Sequence, residues 1–252
     1  MRFLTAAALS LGLAAPAAAL DLSALTEAER NAFGAAVRSY LLENPEVLME
    51  AIGVLEQRQE QAQSLTETEF LRANAEAIFN NPSDWAGGNL QGDLTLVEFV
   101  DYRCGYCRKA WTEVEELVKS DGNIKIVMKE FPILGEDSLA SSKFAIAARN
   151  LGGDEAYKKA HDALIALKGP ANEAALSGLA KELGLNWAEL APAMEAPETL
   201  AVIGANQQLA SSLQINGTPT FILEETMLRG YVPLDGMRQM VAQQRDAAKT
   251  AN

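Results

Sequence analysis

The sequence predicts an α/β domain that is split by a helical insertion and preceded by a helical appendage. Three observations carry this expectation. The run Leu94-Thr95-Leu96-Val97-Glu98-Phe99-Val100 alternates and is rich in β-branched and aromatic residues; a helix-like stretch from Lys109 to Lys119 follows, then a second alternating run through Ile124, Ile126 and Met128. From Leu139 to Leu213 the pattern turns helical, interrupted by Gly152-Gly153, Gly169-Pro170 and Ala191-Pro192. Ahead of the first strand the pattern is helical up to Asn80.

In chain order, Met1-Arg2-Phe3 opens an apolar stretch through Leu9 and Leu13 that ends in Ala17-Ala18-Ala19, so residues 1–19 read as a secretory leader cleaved after Ala19. Its apolar core is short of the roughly 20 residues that span a bilayer comfortably. The mature protein is therefore expected outside the cytoplasm, in a compartment such as the bacterial periplasm where disulfides persist. Residues 20–80 form the helical appendage. Thr26 with Glu29 is a capping-box signature, and Asn44-Pro45 reads as an N-cap followed by proline at the first helical position. After it Val47, Leu48, Ala51, Ile52 and Leu55 make an apolar stripe that gives way to Gln57-Arg58-Gln59-Glu60-Gln61. Such a stripe either packs on its own domain or serves self-association, and the sequence leaves both open; a homo-oligomer formed through residues 22–80 is the expectation.

Asn80-Asn81-Pro82-Ser83-Asp84 and Gly87-Gly88-Asn89 read as a linker, with the domain boundary near Asn81 and the α/β domain over 81–252. The two alternating runs joined by one helix read as a parallel βαβ unit, and the helical insertion occupies about 136–213. Extended character returns at Thr218-Pro219-Thr220-Phe221-Ile222-Leu223. A turn at Glu224-Glu225, a strand at Met227-Leu228 and a last helix from Pro233 to about Gln244 complete the domain.

The chemistry sits just after the first strand. Cys104 and Cys107 are the only two cysteines of the chain's 252 residues, and they flank Gly105-Tyr106. Strand, short loop and helix place Cys104 beside a helix N-terminus, where unpaired N–H groups and the macrodipole favour a thiolate, the nucleophile of disulfide exchange. A purely structural disulfide is disfavoured, because so short a loop removes little unfolded-state entropy. A zinc site needs four ligands where the chain offers two cysteines and one distant histidine, His161. Glu98 shares a strand face with Leu94, Leu96 and Val100, so burial is expected to raise its pKa and let it exchange a proton. His161 reads as a surface or packing residue, and Tyr102, Trp111 and Phe131 as core and rim aromatics, with Tyr102 and Tyr106 available as contact surface for unfolded chains. Met128, Met194, Met227, Met237 and Met240 are scattered, unlike a dedicated copper carrier. With 34 acidic and 21 basic residues the net charge is -13, which disfavours nucleic acid and anionic membranes as partners.

Glu98-Phe99-Val100-Asp101-Tyr102-Arg103-Cys104-Gly105-Tyr106-Cys107, with Gly217-Thr218-Pro219-Thr220 more than a hundred residues later, resembles the thioredoxin superfamily. The helical insertion narrows the resemblance to the DsbA-like thiol-disulfide oxidoreductases. Tyr40-Leu41-Leu42-Glu43-Asn44-Pro45-Glu46-Val47-Leu48 is similar to the amino-terminal segment of the copper-sensitivity suppressor proteins ScsC. This resemblance implies a thioredoxin fold with Cys104 as attacking cysteine, Cys107 as resolving cysteine and Glu98 as the acid that helps deprotonate Cys107. It also implies a cis bond before Pro219, and a Thr218 backbone that binds an extended substrate strand. Gly105 and Tyr106 tune the pair: Gly-Tyr resembles the DsbC isomerases where the strongly oxidising DsbA enzymes carry Pro-His, and Thr218 likewise resembles isomerases where DsbA carries Val.

The implied function is that of a disulfide isomerase or reductase acting on misoxidised or unfolded secreted proteins. It needs no cofactor beyond the Cys104–Cys107 pair and is reset by a membrane thiol reductase of the DsbD or ScsB type. The alternatives are a disulfide donor served by a DsbB-type oxidase, and a protein of another class that captures Cu(I) on its two thiolates.

Overall fold

In the computed structural model, which describes residues 25–250, the expected leader at 1–19 lies outside the described residues. The described residues divide into two compact units, one ending at Glu60 and the other beginning at Gln61. In the first unit, helix α1 (Glu27–Glu43) starts at the expected capping box: the Glu29 N–H donates to the Thr26 hydroxyl while the Glu29 carboxylate accepts from the Thr26 N–H. The next helix, α2, spans Glu46–Ala73. Asn44 does not cap it as expected. Its side-chain amide donates at 2.9 Å to the Tyr40 carbonyl, so it closes α1, and the last carbonyls of one helix have outbid the first N–H groups of the next. No residue of α1 is buried.

The second unit is built on a five-stranded sheet ordered β1-β3-β2-β4-β5. Its strands are β1 (Trp85–Gly88), β2 (Leu94–Val100), β3 (Ile124–Glu130), β4 (Thr220–Leu223) and β5 (Thr226–Arg229). β2 and β3 pair in parallel through α4 (Gly105–Asp121), as the βαβ reading expected, while β1, β4 and β5 pair antiparallel to their neighbours. β1 corrects the sequence reading, which placed a linker there. Gly87-Gly88 carries a turn signal, but Gly88 ends the strand at φ +68°, with the space for a Cβ only 2.5 Å from the Ile124 carbonyl oxygen. Glycine is therefore needed for close backbone approach in an edge strand.

Burial on both faces explains the near-continuous apolar strands. One face sets Leu94, Leu96, Val100, Ile124, Ile126, Met128 and Phe221 against α4, α5 (Glu136–Ala166) and α9 (Leu234–Thr250). The other sets Val97, Phe99, Val127 and Ile222 against Leu71 of α2, Ile78 of α3 (Ala75–Phe79) and Leu209 of α8 (Pro197–Ser212). Leu71 and Ile78 thus belong to the sheet's own core, ahead of the boundary expected near Asn81. Lys129 is buried on that side and ion-paired with buried Asp84, an arrangement in which loss of either partner strands a charge and costs about 3–5 kcal/mol.

The insertion comprises α5, α6 (Glu173–Glu182), α7 (Trp187–Met194) and α8. Gly153, at φ +74°, kinks α5 where the Gly-Gly break was expected. Ala191-Pro192 does not break a helix. Pro192 lies inside α7, and the break falls after Met194.

Candidate active site

The site forms where β2 hands the chain to α4. Cys104 is the N-cap of α4, with extended φ/ψ and no side-chain cap of its own, so the helix presents its first N–H groups to the sulfur. As a thiol, Cys104 donates to the Thr218 carbonyl at 3.1 Å, across the cis Thr218–Pro219 bond that the resemblance implied. As a thiolate it accepts from the Cys107 thiol, from Thr218, and from the backbone N–H groups of Cys107 and Tyr106. These contacts outweigh burial and lower its pKa to about 5. Cys107, one turn along, is fully buried, and its pKa is pushed far upward by its bond to Cys104, by burial and by Glu98. The two thiols are thus unlike: Cys104, at 8% exposure, keeps a narrow access to solvent and is an anion, whereas Cys107 has none and is a protonated thiol.

Glu98 lies under the pair. It is buried on the sheet face expected for it, with both carboxylate oxygens lacking a hydrogen-bond partner. Burial, then the Cys104 thiolate and Glu130, raise its pKa to about 8. A carboxyl group titrating near neutrality below a thiol is suited to take that thiol's proton. Gly105 opens α4 with nothing within 4 Å of the place a Cβ would take, and Tyr106 is 63% exposed, stacked on Tyr231 at 6.1 Å between centroids.

The structure brings Cys104, Cys107, Glu98, Gly105, Tyr106, Thr218 and Pro219 to one place, and it moves one other residue, Tyr102, from where the sequence put it. Tyr102 is fully buried, not a rim aromatic for substrate contact. Its phenol donates at 2.7 Å to Glu130 and lies 2.9 Å from His161 Nδ1, so polar partners pull the ring inward. His161 is a packing residue, fully buried, its ring 4.3 Å from that of Trp111.

Two residues escaped the sequence reading. Asp101 is buried and accepts from the N–H groups of Arg103, Ile133 and Leu134 and from the Ser138 hydroxyl, at 2.7–3.0 Å, tying the cysteine loop to the loop after β3. Its position just before the cysteine motif was visible, but which amides would converge on it was not. Glu130 lies on the same strand face as Ile124, Ile126 and Met128, so the alternation argument that singled out Glu98 applies to it equally.

Residues 95–242 match the family model of the DSBA-like thioredoxin domain, and residues 29–62 match that of the copper resistance protein ScsC N-terminal domain. Among solved structures, the chain is similar to a thioredoxin-like oxidoreductase from Silicibacter pomeroyi DSS-3, at 42% identity and TM-score 0.64, covering 68% of this chain and 97% of that one. It is also similar to Proteus mirabilis ScsC in a transitional conformation, at 26% identity and TM-score 0.65, covering 89% and 98%. A curated relative, the Na(+)/H(+) antiporter NhaA 1 of Salinispora arenicola, is 27% identical over 159 residues, 63% of this chain, and the chain spans 24% of that protein's length. Among the described residues, no helix is long and apolar enough to cross a membrane.

Proposed function

The chain belongs to the family of DSBA-like thioredoxin domains, and from that membership we propose that it is a periplasmic thiol–disulfide oxidoreductase that isomerises or reduces the disulfides of misoxidised proteins. The observation that carries the chemistry is the asymmetry of the pair: a Cys104 thiolate with pKa about 5 at a helix N-terminus, above a buried, protonated Cys107. In the first step the Cys104 thiolate attacks one sulfur of a substrate disulfide. That bond breaks, the other substrate sulfur leaves as a thiolate, and a mixed disulfide forms. In the second, Cys107 passes its proton to Glu98 and attacks Cys104 Sγ. The substrate leaves reduced by two electrons, and the Cys104–Cys107 disulfide remains for a membrane thiol reductase to reset. In isomerisation another substrate thiol displaces Cys104 instead, and the pair stays reduced.

The direction rests on the residues that tune the pair. No imidazole stands between the cysteines to stabilise the thiolate further, Tyr106 presents an exposed ring to substrate, and threonine precedes Pro219. Acid quench of cells followed by alkylation with a mass-adding maleimide tests this. A pair held mostly reduced is the expected result; a mostly oxidised pair would make the protein a disulfide donor instead. No cofactor is part of the proposal. Cu(I) capture by the reduced thiolates is a secondary reading, favoured by the copper-resistance family model that matches residues 29–62.

Self-association through the appendage is part of the same proposal. Phe33, Val37, Tyr40, Leu48, Ile52 and Leu55 are all exposed, an apolar density that single scattered side chains do not reach. Several sites on one oligomer would engage one misfolded chain, which suits isomerisation, and would hinder docking on a membrane oxidase. The double substitution Leu48→Glu, Ile52→Glu removes two apolar side chains, each contributing about 1.5–3 kcal/mol when buried, and should yield a folded monomer by sedimentation. An unchanged mass would reject this surface as the interface.

A further inference from the structure

Two carboxylates, not one, are buried on the sheet face beneath the cysteines. In the parallel ladder Glu98 stands opposite Met128 and Glu130 opposite Val100, so the two acids project from the same face, one strand and one register step apart. Both are buried, at 1% and 2% exposure. Their partners differ. Glu98 has none, whereas Glu130 Oε1 accepts from the Tyr102 phenol at 2.7 Å and from the Tyr157 phenol at 2.6 Å. Tyr102 has a single proton and gives it to Glu130, so the 2.9 Å contact with His161 is donated by the imidazole Nδ1–H. Burial keeps His161 neutral, with a pKa near 3, and keeps both phenols protonated. Stacking of Trp85 on Tyr157 and the edge contact of Trp111 with His161 hold these rings in place. A relay of fixed donors therefore ends on one carboxylate oxygen and works against burial, which still raises the Glu130 pKa to about 7. That lies below the value of about 8 for Glu98, so Glu130 is the first of the two to ionise.

We propose that Glu130 is a positioning residue of thiol exchange, the first member of a buried carboxylate pair to ionise, which acts on Cys107 through Glu98. Like charges so placed cannot both be free, so the Glu130 anion makes Glu98 hold its proton to higher pH, and Glu98 becomes a stronger base for the Cys107 proton when it ionises. In the step concerned, the Cys107 proton moves to the Glu98 carboxylate, the Cys107–Cys104 bond forms, and the bond from Cys104 to substrate breaks with its electron pair leaving on the substrate sulfur. The other groups that act on the pair are Cys104 and Cys107 from α4, Ser142 and Tyr157 from α5, and Asp101 and Tyr102 after β2, with His161 reaching Glu130 only through Tyr102. Asp84, with its partner Lys129, acts from before β1. None of them places a cation against Glu130.

The inference rests on exchange at Cys104–Cys107 but not on its direction. It is tested in single turnovers of the reduced full-length protein with a disulfide-bonded model peptide, quenched in acid across pH 5 to 9. The first phase reports Cys104 attack and the second reports Cys107 resolution. Glu130→Gln, which keeps an acceptor for both phenols, should move the midpoint of the second phase to lower pH by about one unit while the first-phase midpoint stays in place. Tyr157→Phe, which removes one donor and leaves the carboxyl group, should move it the same way by less. A second-phase midpoint that stays put in both variants, or two phases that shift together, would overturn the role of Glu130. Absence of the first phase in the unaltered protein would overturn the exchange reading itself.

Discussion

Cys107→Ser should accumulate a long-lived mixed disulfide with a protein substrate, and Cys104→Ser should lose exchange by at least about 10³-fold, the loss expected when the nucleophile itself is removed. The two outcomes follow from unlike environments on one helical turn. Cys104 sits at the N-terminus of α4 with its pKa lowered to about 5, so at pH 7 it is almost wholly the attacking thiolate. Cys107 is buried and held protonated, so it cannot substitute for Cys104 as the first nucleophile. Serine at position 107 keeps a hydroxyl donor where the Cys107 thiol gives the largest favourable contribution to the Cys104 thiolate. Attack therefore survives while resolution is lost. Non-reducing electrophoresis with mass spectrometry should show the adduct through Cys104. In the same variant the rate of adduct formation should be flat above about pH 6 and fall through pH 5, where an ordinary thiol would still be gaining rate toward pH 8.5. A pH profile rising to pH 8.5 would remove the thiolate argument.

Much of this was legible in the residues because it depends on local chemistry. The parallel β2–α4–β3 unit declared itself through two alternating runs around one helix, and the capping box at Thr26 and Glu29 fixed the start of α1. What failed depended on competition between distant or adjacent groups. Asn44 has two helices within reach and serves the earlier one. β1 was hidden because two glycines serve both turns and close strand approach, and only the position of Ile124 decides between them. The same holds at the site. Cys104, Cys107 and Glu98 were visible from spacing and strand parity. Parity alone would have picked out Glu130 as well, but that Tyr102 and Tyr157 converge on one of its oxygens is a fact of three-dimensional packing, since Tyr157 comes from the helical insertion.

Glu98→Gln should make the reduced protein more stable and slower at once. Its carboxyl has a pKa of about 8 in the fold against an ordinary value of 4.5, chiefly because it is buried, then because the Cys104 thiolate and Glu130 are near. Below pH 4.5 folded and unfolded chains both hold the proton and the residue contributes no pH dependence. Between pH 4.5 and 8 the unfolded chain has released it while the folded chain retains it, so stability falls as pH rises; above 8 the fold bears a buried anion at full cost. Glutamine has no such term. The variant's stability relative to the unaltered protein should therefore rise by about 3 kcal/mol between pH 4 and pH 7, read from urea unfolding of the reduced forms. Oxidation to the disulfide removes the Cys104 charge, so the same comparison should give a smaller difference in oxidised protein. The kinetic consequence has the opposite sign: without a carboxylate to accept the Cys107 proton, resolution of the mixed disulfide should slow by about 10²-fold, the lower end of what a positioned base contributes. Formation of the mixed disulfide, which needs only the Cys104 thiolate, should change far less. A Glu98→Gln variant with no gain in stability between pH 4 and pH 7 would mean that the carboxylate is hydrated in solution. A gain in stability with unimpaired resolution would mean that Cys107 gives its proton elsewhere.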